Sequence, residues 1–385
     1  MKLKHFLYTI LIAINAISCS KNDDKIEIPV NRTILVYMAA DNNLNSFGAD
    51  NIEKMLEGAG YNNLNGGNLI VYVDPSNDKP QLLQIKTDKD GIAYKETVIS
   101  YETEHNSAST ENMRSVIDDV IKRYPSDSYG LILWSHGTGW MPSNISNMLR
   151  AFGQDGANWM ELNDLAQALP DKVFDFILFD ACSMASIEVS YALRKKADYI
   201  IASSTEVLAS GFPYHKIIAP LFKENADLKA VCSEFYNYYN NQSGYMRSAT
   251  VSLTETAHLE NLATITRDIL YGKESDIYSL SLYDIQIFDY LPASSNPKQY
   301  HLLYDIEDFI SRLASTNQYA SFQNSLSNVI TYKQTTPNAF FEYGGQGITI
   351  PVNTYSGLSI YIPQQSLAKV NEWYKQLDWY KAIYE

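Results

Sequence analysis

One apolar segment near the middle of the chain sets its architecture: Asp175-Phe176-Ile177-Leu178-Phe179-Asp180-Ala181-Cys182. Its continuous apolar run predicts a short strand buried on both faces, as in parallel sheets. The residues after Cys182 predict the start of a helix. Cys182 is therefore expected at the carboxyl edge of the sheet, where open α/β folds place their functional groups. A helix amino end at that point would favour the thiolate over the thiol.

A second strand of the same kind ends in a histidine. The run Gly130-Leu131-Ile132-Leu133-Trp134-Ser135 is followed by His136-Gly137. Two such parallel strands would bring an imidazole and a thiol to one edge, as nucleophilic catalysis by cysteine requires. A lone free cysteine is usually a buried apolar residue, and a lone His-Gly is usually part of a loop. Their joint placement at two strand ends favours the catalytic interpretation.

Three motifs together resemble the clostripain family of cysteine peptidases. They are His136-Gly137, Asp180-Ala181-Cys182 and the end of the opening strand, Tyr37-Met38-Ala39-Ala40-Asp41-Asn42-Asn43-Leu44. The resemblance runs from about Arg32 to the end of the chain. It implies a caspase-like fold, an αβα sandwich with a mostly parallel central sheet, and a Cys–His dyad. We therefore expect a cysteine endopeptidase in which Cys182 attacks the peptide carbonyl and His136 exchanges the proton.

The oxyanion of such a reaction needs preorganised donors. The backbone amides of Gly137 and Cys182 are the candidates, and a glycine after the histidine suits a backbone that substrate must approach closely.

Substrate preference can be predicted in part. Residues two apart on a strand point to the same side, so Asp180 is expected to face the same way as Cys182. A buried carboxylate there calls for a cation, which predicts an S1 pocket for arginine or lysine, as the resemblance also implies. A helix cap or a hydrogen bond to a neighbouring loop is the alternative role for Asp180. Glu206 and Ser210 are further pocket candidates, although Arg-specific relatives tend to carry an acid at the position of Ser210.

Between the two catalytic strands lies a segment that we expect to be exposed and that contains one basic residue, at Arg150-Ala151. The resemblance implies a zymogen that cuts itself between these strands after a basic residue. We therefore expect self-cleavage between Arg150 and Ala151. An ordinary surface arginine is the alternative.

The amino terminus has the pattern of an export signal. A basic start and a short apolar run end at Ala16-Ile17-Ser18-Cys19, which resembles a bacterial lipoprotein cleavage site. We expect residues 1–18 to be a signal peptide, Cys19 to carry the lipid and residues 19–31 to form an anchor and tether. The protein would then be an exported outer-membrane lipoprotein of Bacteroides type, on the cell surface or the periplasmic face. A plain secretory signal is the alternative.

Strand and helix patterns alternate along the chain, which predicts an α/β fold. We divide it into a peptidase domain over residues 32–254 and a C-terminal α+β subdomain over residues 255–385. Among the predicted helices are Thr110–Tyr124, capped by Thr110, and also Leu221–Tyr239 and Tyr304–Ala314.

Composition limits the partners. The formal net charge of −14 argues against nucleic acid and against anionic lipid surfaces. We expect peptide substrates with basic residues, membrane contact through the lipid alone, and a monomer. Cys232 is interpreted as a core residue.

No cofactor is expected to be required. Asp41, Asn43 and Asn45 have the odd spacing of a calcium loop, but the glycine and glutamate that such a loop needs are absent. Calcium therefore has no motif to support it, and no metal ligand is assigned.

Two other functions compete with the peptidase. The 29 tyrosines and the predicted anchor would also suit a non-catalytic surface lipoprotein that binds glycans or peptides. The same dyad would also serve an amidase or a transpeptidase.

Overall fold

The computed structural model of the protein describes residues 31–102, 105–141, 152–289, 301–343 and 346–385. Its strands are β1 Arg32–Ala40, β2 Asn68–Pro75, β3 Gln81–Thr87, β4 Ala93–Ser100, β5 Ser128–Trp134, β6 Phe152–Asp155, β7 Asn158–Met160, β8 Phe174–Asp180, β9 Ala197–Ala202, β10 Thr250–Glu255, β11 Tyr304–Asp305, β12 Ile330–Thr335, β13 Asn338–Tyr343, β14 Gln346–Pro351 and β15 Ser359–Ile360.

The helices alternate with these strands through the first two thirds of the chain and dominate the last third. They are α1 Asn45–Ala59, α2 Thr110–Arg123, α3 Leu162–Ala168, α4 Ile187–Ala192, α5 Tyr214–Leu221, α6 Leu228–Asn240, α7 Leu259–Leu270, α8 Glu274–Ser279, α9 Ile306–Ser311, α10 Thr316–Val329, α11 Ala368–Tyr374 and α12 Asp378–Tyr384.

A large mixed sheet forms the centre of the molecule, in the strand order β12-β10-β9-β8-β5-β1-β2-β3-β4. Its five middle strands, from β9 to β2, are parallel, and the strands outside them pair antiparallel. The carboxyl ends of β1, β5 and β8 therefore meet at one edge. This confirms the predicted α/β class with a mostly parallel centre.

Helices cover both faces of the sheet. Every residue of β1 is buried, because its side chains alternate between two apolar cores. Leu35 and Tyr37 belong to the core that includes α2, α3 and the C-terminal helices, whereas Val36 and Met38 belong to the core that includes α1, α5 and α6. Burial on both faces is what makes such strands continuous apolar runs in the sequence.

Two predicted helix starts are wrong. Ser109, not Thr110, caps α2, because its side-chain oxygen accepts a hydrogen bond from the Asn112 amide at 3.3 Å. The helix after the cysteine begins only at Ile187, where Ser186 caps it through the Val189 amide. Cys182 is therefore followed by a turn, not by a helix.

The second half also departs from the predicted elements. The helix predicted over Leu221–Tyr239 begins only at Leu228, since α5 ends at Leu221 and Asp227 caps α6 through the Ala230 amide. The helix predicted over Tyr304–Ala314 covers only Ile306–Ser311, and Tyr304 pairs in β11 instead.

The predicted boundary between residues 254 and 255 falls inside β10. Beyond it, β12 returns to the central sheet and pairs with β10, and helices α7 and α12 share a core with β1. The C-terminal region thus completes the edge of the sheet and covers one of its faces. Within the ranges that the structure describes, we find no helix with the length and apolarity to cross a bilayer.

Candidate active site

The predicted catalytic residues lie at the ends of adjacent parallel strands. β5 pairs with β8 in the register Trp134 to Asp180, so His136 and Cys182 each leave the sheet two residues later, at the same edge. Both residues line one cavity of about 640 Å³. Gly137, Asp180, Glu206 and Ser210 line it as well, so the structure brings the predicted dyad, oxyanion and pocket residues together.

The Cys182 thiol is held by the loop that follows β9. Its Sγ accepts a hydrogen bond from the Val207 amide at 3.3 Å and donates one to the Val207 carbonyl at 3.6 Å. Burial, and secondarily the charge of Glu206, raises the pKa of Cys182 to about 12. The predicted support of a thiolate by a helix amino end is wrong, because α4 begins only at Ile187 and the Cys182 sulfur bonds to the Val207 backbone instead.

A strained turn places the cysteine against that loop. Ser183 has a φ of 60°, which is unusual for a residue other than glycine. Its amide donates to the Thr205 carbonyl at 2.9 Å, and the Ala185 amide donates to the Ser203 carbonyl at 2.8 Å. Such strain costs on the order of 1 kcal/mol and is held by the surrounding bonds.

The backbone of Gly137 packs directly on that of the cysteine. A Cβ at position 137 would lie 2.9 Å from the Cys182 carbonyl oxygen and 3.1 Å from the Met184 sulfur. Real Cβ atoms do not come so close to a carbonyl oxygen, which explains why a glycine follows the histidine.

His136 is fixed from several sides. Its Nε2 lies 2.6 Å from Oδ1 of Asn43, and its ring centroid lies 6.1 Å from that of Trp159. Its carbonyl accepts a hydrogen bond from the Gly153 amide at 3.0 Å, which ties it to β6. Sequence reasoning included Asn43 in a family motif but did not predict its contact with His136, and it did not identify Val207, because only the fold brings these loops to their partners.

Asp180 lies on the cavity wall but is already hydrogen-bonded. Its Oδ2 accepts from the Phe212 amide at 3.0 Å and from the Tyr214 hydroxyl at 2.9 Å. Burial raises its pKa to about 6, although these two bonds and the nearby charge of Lys54 oppose the shift. The hydrogen bond to a neighbouring loop, one of the alternatives for this residue, is therefore present; a cap on a helix is not.

Two further carboxyl groups line the cavity. Oε2 of Glu206 accepts a hydrogen bond from the Glu342 amide at 3.0 Å, and both residues line the cavity. Burial first, then the charge of Glu342, raises the pKa of Glu206 to about 7. Glu342 comes from the β13–β14 hairpin, and no signal in the sequence connects this hairpin with the cavity.

Ser210 occupies the rim with its backbone engaged. Its carbonyl accepts hydrogen bonds from Asn51 Nδ2 at 3.2 Å and from Lys54 Nζ at 3.0 Å. The predicted cleavage residues Arg150 and Ala151 and the predicted lipidation residue Cys19 lie outside the described residues. Across the described ranges, no group of three or more His, Cys, Asp or Glu residues has the arrangement of a metal site.

A thiol and an imidazole at adjacent strand ends, in a sheet covered on both faces by helices, define the class of the molecule as a caspase-like cysteine peptidase. The chain belongs to the clostripain family, whose model matches residues 36–385. It is thus a hydrolase of the cysteine protease type.

Known relatives agree in sequence and structure. The chain is 30% identical over 217 residues to clostripain of Hathewaya histolytica, an alignment that covers 48% of the chain and only 41% of clostripain. It is similar to an inactive protease zymogen from Parabacteroides distasonis, with 45% identity, a TM-score of 0.85 and coverage of 94% of this chain and 100% of that one. It also resembles a secreted cysteine protease from Bacteroides thetaiotaomicron that was solved with an irreversible peptide inhibitor, with 30% identity, a TM-score of 0.81 and coverage of 92% and 99%.

Proposed function

We propose that the protein is an endopeptidase that cleaves after arginine or lysine through the dyad Cys182–His136. The observation that carries this proposal is the cavity at the sheet edge, where thiol, imidazole and carboxyl groups converge. The cysteine thiolate attacks the peptide carbonyl and forms a thioester. The peptide C–N bond breaks as the imidazolium of His136 protonates the leaving amine. Water then attacks the thioester and gives a proton to His136. The carbon–sulfur bond breaks, which releases the acid product and restores the Cys182 thiolate.

Backbone amides stabilise the charge that develops on the carbonyl oxygen. We assign this role to the amides of Gly137 and Cys182, and the close packing of their backbones supports it. Donors on a rigid backbone need no reorganisation during the reaction, which is the condition for an effective oxyanion site.

Basic specificity follows from the carboxyl groups of the cavity. Asp180, Glu206 and Glu342 line the cavity that contains the nucleophile. A bound guanidinium or ammonium would stabilise the ionised forms of Asp180 and Glu206, whose pKa values burial has raised. Ser210, at the position where Arg-specific relatives carry an acid, leaves this pocket with one carboxylate fewer.

The form described here has the properties of a zymogen. A neutral thiol bonded to Val207 is a poor nucleophile. The related Parabacteroides distasonis structure is that of an inactive zymogen, which supports the same assignment. Activation is self-cleavage between Arg150 and Ala151, in the segment that links the histidine strand to β6.

The proposed location of the protein rests on the sequence of its amino terminus. The protein is exported with the signal peptide of residues 1–18 and held at the outer membrane by a lipid on Cys19, as a monomer that acts on peptide or protein substrates. The related Bacteroides thetaiotaomicron protease is described as secreted, which supports export.

The proposal is tested with an irreversible peptide inhibitor that ends in arginine. We expect mass mapping to find the adduct on Cys182 and none on Cys232, which is fully buried and serves as the internal control. A matched inhibitor that ends in citrulline, the neutral isostere of arginine, should label Cys182 much more slowly. No adduct on Cys182, or equal labelling by the two inhibitors, would refute the nucleophile or the basic preference respectively.

A further inference from the structure

The catalytic histidine has a side-chain partner outside the Cys–His pair. Nε2 of His136 and Oδ1 of Asn43 are 2.6 Å apart, a short hydrogen bond. Asn43 lies three residues beyond the end of β1, and β1 pairs with β5, which leads to the histidine. The contact therefore joins the ends of two neighbouring strands, 93 residues apart in the chain.

The turn that carries Asn43 is built rigidly by the residue before it. Nδ2 of Asn42 donates to the Ala39 carbonyl at 3.0 Å and to the Gln154 carbonyl at 2.9 Å. Oδ1 of the same side chain accepts from the Leu44 amide at 2.9 Å. Asn42 thus ties β1, β6 and the start of α1 together, and Asn43 is presented to the histidine from a fixed backbone.

The same turn is tied to the segment that holds the histidine backbone. The Gly156 amide donates to the Asp41 carbonyl at 2.8 Å, and the Gly153 amide donates to the His136 carbonyl at 3.0 Å. The β6 region therefore bonds to both sides of the contact. Such support from neighbouring backbone is what keeps a catalytic group within a productive geometry.

The chemistry of the two groups determines what the contact does. With Oδ1 of Asn43 toward the ring, Nε2 donates the hydrogen bond and carries the proton, because an amide oxygen only accepts. In the neutral ring Nδ1 is then the basic nitrogen, because the two ring nitrogens have opposite roles. A neutral amide fixes this tautomer without the added charge that a carboxylate would bring to the ring.

We propose that Asn43 is a positioning residue that holds His136 in the Nε2–H tautomer and so assigns proton exchange with the thiol and the leaving amine to Nδ1. This inference rests on the proposed Cys182–His136 dyad. The logic is that of the third member of a Ser-His-Asp or Cys-His-Asn arrangement, which orients the imidazole without reacting itself.

The test compares variants at positions 43, 45 and 136 with the parent enzyme on an arginyl peptide. Asn43→Ala should lower kcat by about 10- to 100-fold, which is less than the ~10²–10⁴-fold that general acid–base catalysis supplies as a whole. KM should change less than about threefold, since Asn43 acts on the histidine and not on the substrate. Asn45→Ala is the matched control, because its side chain accepts from the Ser76 amide on the far side of the same turn.

Asn43→Asp should change the pH–rate profile, which a merely structural role of Asn43 would leave unchanged. It keeps the acceptor oxygen and adds a negative charge, so kcat should recover most of its value while the histidine limb of the pH–rate profile moves to higher pH. Nitrogen NMR of His136 should show a protonated Nε2 in the parent and a mixture of tautomers in Asn43→Ala.

The outcomes distinguish a failure of the Asn43 role from a failure of the Cys182–His136 dyad. If His136→Ala retains activity, the dyad itself is wrong. If His136→Ala is inactive while Asn43→Ala keeps kcat within about twofold and the same tautomer, the dyad stands and the role of Asn43 is overturned. Unchanged thermal unfolding of Asn43→Ala excludes a loss of fold as the cause of a lower kcat.

Discussion

The backbone of Val207 holds the Cys182 sulfur through both of its polar groups: its amide donates to Sγ at 3.3 Å, and its carbonyl accepts from the thiol at 3.6 Å. The same loop carries Glu206, whose charge disfavours the thiolate. One loop therefore both contributes to the cavity and keeps the nucleophile protonated. For Cys182 to become the thiolate that the proposed mechanism needs, this loop must move away from the cysteine or be displaced by substrate.

The uncut chain should contain an unreactive thiol. In an Arg150→Ala chain, which cannot cut at the proposed site, alkylation of Cys182 by iodoacetamide should still accelerate at pH 10, because burial raises the pKa of Cys182 to about 12. Peptide mapping by mass spectrometry follows the rate at this residue alone. Circular dichroism at each pH provides the control for unfolding. A rate that reaches its plateau below pH 8 would contradict a neutral, loop-bound thiol.

Preference for basic substrates should depend on pH. The pKa values of Asp180 and Glu206 are raised to about 6 and about 7, so both groups are neutral at pH 5 and ionised at pH 8. The ratio of kcat/KM for an arginyl peptide to that for its citrullyl isostere should therefore rise across this range. The ratio cancels the titration of the dyad, which both substrates share.

A charge-removing variant identifies the source of that rise. Glu206→Gln should lower the ratio at pH 8 by about 10-fold, the value of one hydrogen bond to a charged group, and should remove its rise near pH 7. The citrullyl peptide reports any effect that loss of the Glu206 charge has on the thiol itself, and the ratio cancels that effect. A ratio that is flat in the parent enzyme would argue against a carboxylate pocket.

The glycine beside the histidine should not tolerate a side chain. In Gly137→Ala the new Cβ would lie 2.9 Å from the Cys182 carbonyl oxygen, so the two backbones must separate. We expect kcat to fall at least about 10-fold, with a loss of stability of about 1–3 kcal/mol from overpacking. Gly48→Ala in α1 is the control, because a Cβ added at position 48 would lie no closer than 3.4 Å to its nearest neighbouring atom. Equal activity of the two variants would show that the approach of Gly137 to Cys182 is not required.

A buried carboxyl group should make stability depend on pH. Glu188 is 1% exposed, and Oε1 accepts from the Tyr361 amide at 2.8 Å. Burial raises its pKa from 4.5 to about 7, so the native state holds a proton that the unfolded chain releases. The free energy of unfolding should fall as pH rises from 4.5 to 7, by up to about 3 kcal/mol from this group.

Glu188→Gln isolates that contribution. In a Cys182→Ala background, which removes the proposed nucleophile, the variant should gain stability relative to its parent between pH 5 and pH 8 in urea unfolding. Other buried carboxyl groups cancel in this comparison because both chains contain them. A difference that is independent of pH would mean that Glu188 does not carry its proton into the neutral range.

The central strands could be predicted from the sequence, because a strand that is buried on both faces consists of an uninterrupted run of apolar residues. This holds for β5 and β8, and it is why residues at their ends, His136 and Cys182, could be assigned to one sheet edge. The turn after Cys182 could not be foreseen. Its course depends on bonds from Ser183 and Ala185 to the loop after β9, which the local sequence does not encode.

Contacts across long stretches of chain explain the other omissions. Asn43 meets the histidine through the pairing of β1 with β5, and Glu342 reaches Glu206 from a hairpin 136 residues further along. Local sequence patterns do not show which residues so far apart in the chain come into contact. Helix α10 is difficult to predict, because its sequence is rich in Ser, Asn and Gln and only Phe322, Leu326 and Val329 mark its buried apolar face.

The most direct test of the account is amino-terminal sequencing of the purified protein after incubation, beside a Cys182→Ala copy. We predict a new amino terminus at Ala151 in the wild type only, and cleavage of the Cys182→Ala chain at the same bond once a trace of wild-type enzyme is added. That result would establish the nucleophile, the basic preference and self-activation together. The same cut in the isolated Cys182→Ala chain, or an intact wild-type chain, would contradict it.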